Sequence, residues 1–374
     1  MSALTSLHVN TETGWRGGET QTLQLVRGLE ARGHRCVLAA QPGGELLQRA
    51  GAAGVEAVPL SMRGECDLPA ARRLAALIER RGVDLLHYHT AHAVSIGTLA
   101  TLFSGRRAAI AVRRVSFPLR RRLFGRYKYR FRVDRVVAVS DAIRRGLIAQ
   151  GLDPRRVVTV HSGIDPDRYA RGDRSRFRAS LPEPARGWPA DAFVVGTAGH
   201  LATNKGHDLF LRAAVAAGRE LPSARFAIVG RGERERALPR LAASLGLSGR
   251  VVFAGYRDDM PDVYAGLDLF VLASTSGEGS PAVLKESMAA GVPVVATSVA
   301  GVEEIVEDGR HGLLTPPGDV PALARAMVLL ASDTALRSRL AAAARQKVRE
   351  FSLDRMIASV ESMYEALGGA RWDG

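Results

Sequence analysis

Cysteine is nearly absent from this 374-residue chain, which holds only Cys36 and Cys66. Two cysteines without metal-ligand spacing build neither a disulfide framework nor a thiolate metal site, so a reducing cytoplasm is the expected compartment. Lysine is also scarce: Lys128, Lys205, Lys285 and Lys347 are all there are. No run of about 18 apolar residues occurs, so no membrane-spanning helix is expected. The opening MSALTSLHVN lacks a basic stretch followed by an apolar one and does not read as a signal peptide.

Arginine is abundant. The formal net charge is +14, and the charge is densest from Arg106 to Arg135. That stretch includes Arg113, Arg114, Arg120 and Arg121, with Asp134 as its only acid. Such density calls for an anionic partner: a phosphorylated acceptor, membrane headgroups or nucleic acid.

A length of 374 residues with 46% apolar content suits two globular domains. Short apolar runs alternate with amphipathic segments, which implies parallel sheets with helices on both faces. The first set of expected strands is Leu4–Val9, Arg35–Ala40, Val55–Pro59, Val83–His87, Ala108–Arg113, Arg135–Val139 and Val157–His161. The Arg- and Pro-rich stretch 173–191 has no periodicity and reads as a linker. The pattern then restarts with Phe193–Ala198, Arg225–Val229, Val251–Ala254, Leu267–Leu272, Val292–Thr297 and Gly312–Leu314. The expected domains are therefore 1–172 and 192–350, with 351–374 as a terminal helix. Ligands gather at the carboxyl ends of strands in such sheets.

Four stretches at strand ends carry chemistry. In STSGEGSPAVLKESMAAGVPVVAT (274–297), Glu278 lies in a small-residue loop and Glu286 in a short helix. Ser280 is expected to cap that helix and Pro281 to take its first position. Its N-terminus suits an anion, and carboxylates suit sugar hydroxyls. Thr13–Thr20 places Gly17 and Gly18 where backbone amides meet a ligand closely. In DLLHYHTAH (84–92), His87 and His89 share a strand face while His92 falls beyond it, an arrangement that does not read as a metal site. In GHLATNKGH (199–207), Lys205 stands at a helix start, where the helix dipole disfavours a cation unless an anion joins it.

These words together resemble the signature of the family 4 glycosyltransferases. The closest likeness is Glu278-x7-Glu286 flanked by Gly279, Ser280, Pro281, Ala282 and the AAGVPVV run. The resemblance implies a GT-B fold, two Rossmann-like doubly wound parallel-sheet domains with a cleft between them, and a terminal helix crossing back to the first domain. It implies a retaining, metal-independent transferase that takes a UDP- or GDP-sugar as co-substrate and needs no cofactor. Lys205 and the family's arginine position, here His200, would hold the donor diphosphate. Glu278 would hold sugar hydroxyls, Glu286 the ribose, and His89 would lie near the donor sugar. Gly17 and Gly18 would face the diphosphate or the acceptor, and Gly255 and Tyr256 the base. Arg113, Arg114, Arg120 and Arg121 would face the acceptor or an anionic membrane surface. The expected acceptor is a glycan or lipid-linked molecule of cell-envelope polysaccharide or lipopolysaccharide assembly, and the expected place is the cytoplasm, at the inner face of the membrane. Two other readings stand beside this one: a nucleotide-sugar epimerase of the same fold, and a basic nucleic-acid-binding protein. The second lacks a recognisable nucleic-acid reading module.

Overall fold

A computed structural model describes residues 3–115 and 128–368. The chain forms two compact units, one of residues up to Gly163 together with the segment from Leu353, the other Ile164–Ser352.

The first unit holds a seven-stranded parallel sheet in the order β3-β2-β1-β4-β5-β6-β7. Its strands are β1 (Thr5–Asn10), β2 (Arg35–Ala40), β3 (Glu56–Pro59), β4 (Leu85–Tyr88), β5 (Ala108–Arg113), β6 (Arg135–Ala138) and β7 (Val157–Thr159). The central strands are buried along most of their length, which is why they read as unbroken apolar runs. The chain winds outward one way from β1 and the other way from β4. The loops leaving these two neighbours diverge and open a crevice at their carboxyl ends.

The Leu353–Gly368 helix packs on the Gly17–Glu30 helix of the same unit. The contact depends on Gly28: a Cβ there would lie 2.0 Å from Ile357 Cδ1. Arg32 ties the pair through Glu361 at 2.7 Å and through Asp354.

The second unit repeats the plan with six parallel strands in the order β10-β9-β8-β11-β12-β13. They are β8 (Val194–Ala198), β9 (Arg225–Val229), β10 (Val251–Gly255), β11 (Leu269–Leu272), β12 (Val294–Thr297) and β13 (Leu313–Thr315). Successive residues pack into cores on opposite faces, Val194 and Phe270 on one side and Val195 and Val271 on the other. The winding reverses between β8 and β11, which are hydrogen-bonded neighbours.

The stretch 173–191 is not a free linker. Asp173 accepts from Ser175 N at 2.9 Å and starts a helix, Arg174–Ala179. Phe177 and Leu181 sit in the second unit's core. Arg174 and Arg178 both bind Asp268, each at 2.8 Å. One aspartate cap and two apolar anchors order a segment whose arginines and prolines mask them in the sequence. No helix of the described residues is long and apolar enough to cross a membrane.

Candidate active site

The second unit's crevice is built from the loops after β8 and β11. The first loop ends in Gly206, whose left-handed conformation (φ 66°) opens the His207–Glu220 helix. A Cβ at Gly206 would lie 1.9 Å from the Ala273 carbonyl oxygen, so the two loops touch backbone to backbone. Thr275 N donates to Asn204 O at 2.9 Å, and Asn204 Nδ2 to Ser276 O at 3.1 Å. This join brings Lys205 Nζ to 2.6 Å from Glu278 Oε1, which also accepts from Ser274 Oγ at 2.5 Å. Glu278 is buried at 4% exposure, and a carboxylate taken out of water needs such partners. The anion that the helix dipole demanded beside Lys205 is thus supplied by the protein itself.

The signature helix spans Ala282–Ala289 and differs from expectation at its start. Pro281, in extended conformation, is the residue preceding the helix, and no side chain caps the first turn. The Ser280 hydroxyl instead accepts from the buried Lys285 Nζ at 2.9 Å. The first-turn amides are therefore left without a side-chain acceptor. Gly301, in the short Ala300–Glu303 helix after β12, is packed so closely that a Cβ would lie 2.3 Å from Gly279 O and 2.7 Å from Glu278 O. The loop carrying Glu278 is held from both sides by glycine backbone.

Glu286, expected to hold the ribose, is itself held by two tyrosines. Oε1 accepts from Tyr169 OH at 2.9 Å and Oε2 from Tyr264 OH at 2.8 Å. Burial raises its pKa, and the two tyrosine hydrogen bonds oppose that rise. Each oxygen keeps one acceptor lone pair. Neither tyrosine was singled out from sequence, because each lies far from the signature in the chain. Asp165 caps the short helix that carries Tyr169.

His200 lies 3.2 Å from Glu233. Gly255, at φ 65°, brings its carbonyl 2.7 Å from Gly230 N. Tyr256 is 37% exposed, and the Arg231 guanidinium lies over its ring at 4.6 Å. Cation and ring together form one platform.

In the first unit, Gly17 and Gly18 open the helix after β1. A Cβ at Gly18 would reach to 3.5 Å from Arg114 Cδ. Arg114 donates from Nη2 to His89 Nδ1 at 3.4 Å, and its buried Nε has no partner among the described residues. Burial lowers the Arg114 pKa to about 10. Arg113 ends β5 beside it, whereas Arg120 and Arg121 lie outside the described residues.

His89 is 4% exposed and both of its ring nitrogens are engaged, so it does not present a ring edge to a sugar. Arginine can only donate, so His89 Nδ1 accepts and Nε2 carries the proton. Nε2 then donates to His8 Nδ1 at 2.9 Å, and His8 Nε2 faces Ser6 Oγ at 3.1 Å. His8 was missed although it sits beside His87 in register on β1. Tyr264, Tyr169 and His8 share this cause: the pairing that gives them meaning is between separate helices or strands, not along the chain.

The nitrogens of His8, His87 and His89 lie within 4.8 Å of one another, close enough to share a metal ion. The His8–His89 hydrogen bond and the adjoining guanidinium suit a chain of neutral imidazoles better than a divalent cation. Burial holds His8 near pKa 3 and His87 and His89 well below the usual imidazole range. The unfolded chain binds protons below about pH 6.5 that the folded chain refuses. Stability is therefore complete above pH 6.5 and is lost as pH falls toward 3, by about 1.4 kcal/mol per pH unit for each such group. Urea unfolding at pH 7, 6, 5 and 4 checks this. A midpoint that stays level from pH 6.5 to 4.5 would contradict the neutral cluster.

Residues 192–333 match the family described as glycosyl transferases group 1, and residues 15–168 match glycosyltransferase family 4. A D-inositol 3-phosphate glycosyltransferase of Saccharomonospora viridis is 32% identical over 306 residues, covering 78% of this chain and 67% of that protein. The lipopolysaccharide core biosynthesis glycosyltransferase LpsE of Rhizobium meliloti is 40% identical over 153 residues, 41% of this chain and 44% of that protein. With coverages of 64%, 44% and 60%, the chain spans about half to two thirds of the length of such curated relatives. Among solved structures, Anabaena Alr3699/HepE in complex with UDP-glucose superposes with a TM-score of 0.84 at 23% identity, over 97% of this chain and 100% of that one. A glycosyltransferase from Rickettsia africae gives 0.86 at 20% identity, over 99% and 100%. These likenesses establish the fold.

Proposed function

Because the chain belongs to the family 4, group 1 glycosyltransferases and has their GT-B fold, we propose that it moves a sugar from a UDP- or GDP-linked donor to a glycan or lipid-linked acceptor, with retention and without a metal or other cofactor. The observation that carries this reading is the Lys205–Glu278 pair beside the uncapped Ala282–Ala289 helix. As the donor diphosphate departs, negative charge grows on its oxygens. Lys205 and the first-turn amides are preorganised to receive that charge. Glu278, tethered through Oε1, offers Oε2 to the sugar hydroxyls. Glu286, oriented by two tyrosines, offers its remaining lone pairs to the ribose. The Arg231–Tyr256 platform suits the base.

The acceptor belongs to the first unit in this reading. The Arg114 guanidinium over the Gly17–Gly18 turn favours an anionic acceptor. The relative named for inositol 3-phosphate supports a phosphorylated acceptor, and the one named for lipopolysaccharide core biosynthesis supports a role in envelope glycan assembly. The inner face of the membrane is the place this acceptor implies.

A thermal-shift screen against UDP, GDP, ADP, CMP and TDP, with their common sugar conjugates, tests the donor site. A ligand at a hundred times its Kd adds about 2.7 kcal/mol and raises the midpoint visibly. One base is expected to stand out. No shift with any of them removes the donor assignment, and donor turnover without an acceptor points to an epimerase instead.

A further inference from the structure

The arginine-rich segment, continuous in sequence, divides in space. Arg113 and Arg114 stand at the carboxyl end of β5, with the crevice just described. Arg106, Arg130, Arg132 and Arg135 gather at the amino ends of β5 and β6, and Arg156 joins them from the start of β7. With Phe131 and Asp134 they line a cavity of about 580 Å³. A strand of six residues separates this end of the sheet from the crevice by about 20 Å.

These guanidinium groups are oriented largely by carbonyl oxygens. Arg132 donates to Thr101 O at 2.7 Å, Arg135 to Asp134 O at 3.0 Å and Arg156 to Arg130 O at 3.1 Å, while Arg130 reaches Gly151 O. A carbonyl fixes a guanidinium without cancelling its charge. The one carboxylate of the lining, Asp134, is committed to Arg106 at 2.8 Å and to Ala109 N at 2.9 Å. The basin is therefore strongly positive. Arg132 has φ 55°, the one non-glycine residue in the left-handed region among those described. Strain of that kind is retained where a turn has to present particular side chains. What it presents here is Arg132 together with Phe131, which is 48% exposed. A second cavity of about 650 Å³ shares Arg130 and Arg156; its wall is mainly apolar, from Val136, Ile148, Leu152 and Pro154, with Tyr129, Gly151 and Asp153 completing it, and Asp153 Oδ1 accepts from Arg155 N at 2.9 Å.

We propose that the two adjoining cavities bind an anionic lipid, its phosphate in the arginine basin and its first acyl carbons against the apolar neighbour. A basin alone would suit any phosphate. The apolar cavity that shares two of its arginines, and the exposed Phe131 at its rim, commit it to a phosphate joined to hydrocarbon. The site lies away from the reacting groups and does not depend on which sugar is transferred.

Flotation of the full chain with vesicles tests this at low salt, where surface charge is least screened. Phosphatidylcholine vesicles are compared with vesicles that also contain phosphatidylglycerol. The unaltered protein is expected to float with the anionic vesicles only. Arg130→Gln with Arg156→Gln is expected to weaken that partitioning at least tenfold. The charge-matched control, Arg310→Gln with Arg349→Gln at exposed positions of the second unit, is expected to leave it within twofold. Phe131→Ser, an exposed change that tests the site even if the arginine pair fails to fold, is expected to weaken it about threefold. Equal flotation of the arginine variant and its control overturns the proposal, as does full retention by the Phe131 variant. Calorimetric binding of soluble glycerol phosphate at the basin, without preference for anionic vesicles, assigns the site to a free phosphate ester and overturns the lipid assignment.

Discussion

Lys205→Ala lowers turnover at saturating donor by about 10²–10³-fold, the range seen when one preorganised charge or donor is removed from a developing anion. The loss falls on kcat because the charge it meets grows as the diphosphate leaves. The substitution also strands Glu278, which keeps only the Ser274 hydroxyl as a side-chain partner among the described residues and is 4% exposed. Removing one partner of a wholly buried pair costs about 3–5 kcal/mol. Lys205 is 27% exposed, so solvent screens part of the interaction and about 1–3 kcal/mol is expected. The double change Lys205→Ala with Glu278→Gln separates the two effects. It restores the denaturation midpoint, because no unpaired carboxylate remains, and leaves turnover low. Steady-state rates with the donor found by thermal shift, beside urea unfolding of each variant, make the measurement. Normal turnover in Lys205→Ala would falsify the catalytic assignment.

Gly206→Ala produces a large effect through geometry alone. The residue sits at φ 66°, where a Cβ costs about 1–2 kcal/mol. That Cβ would also meet the Ala273 carbonyl at 1.9 Å, and backbone cannot yield as a side-chain tip can. Overpacking of this kind adds about 1–3 kcal/mol. A total near 3 kcal/mol lowers the midpoint by about 6–12 °C in a domain of this size. The two loops must part, and Lys205 moves away from Glu278. Turnover is expected to fall even below the unfolding midpoint, since small misplacements of a reacting group cost about 10²-fold. Gly51→Ala, at an open position with no atom within 4 Å of the added Cβ, serves as the control. A Gly206 variant with unchanged midpoint and unchanged rate would show that the loops are not held as described.

Both effects were partly readable beforehand. Lys205 and Glu278 each stood out in their own loops, and the strand before each loop was visible as an apolar run. Their contact was not readable, because it depends on β8 and β11 being neighbours although two strands intervene in sequence. Glu286 was found for its place in a recurrent word, yet its orienting tyrosines came from Tyr169 and Tyr264, remote from that word. Ser280 was taken as a cap by residue type. The buried ammonium of Lys285 claimed its hydroxyl instead, because an ammonium taken out of water outbids an amide for an oxygen.

By itself the sequence determined the two parallel sheets, their strands within a residue or two, and the strand ends at which ligands gather. These follow from burial on both faces and from helix-start chemistry, which are local properties of the chain. The tertiary structure alone decided which side chains come together: Lys205 with Glu278 and His89 with His8 and Arg114 at those ends, and, at the opposite end of the first sheet, Arg156 with the arginines that precede or begin β5 and β6. Winding order sets these pairings. Hydrogen bonds and ion pairs act over a few ångströms of space, whatever distance along the chain separates their partners.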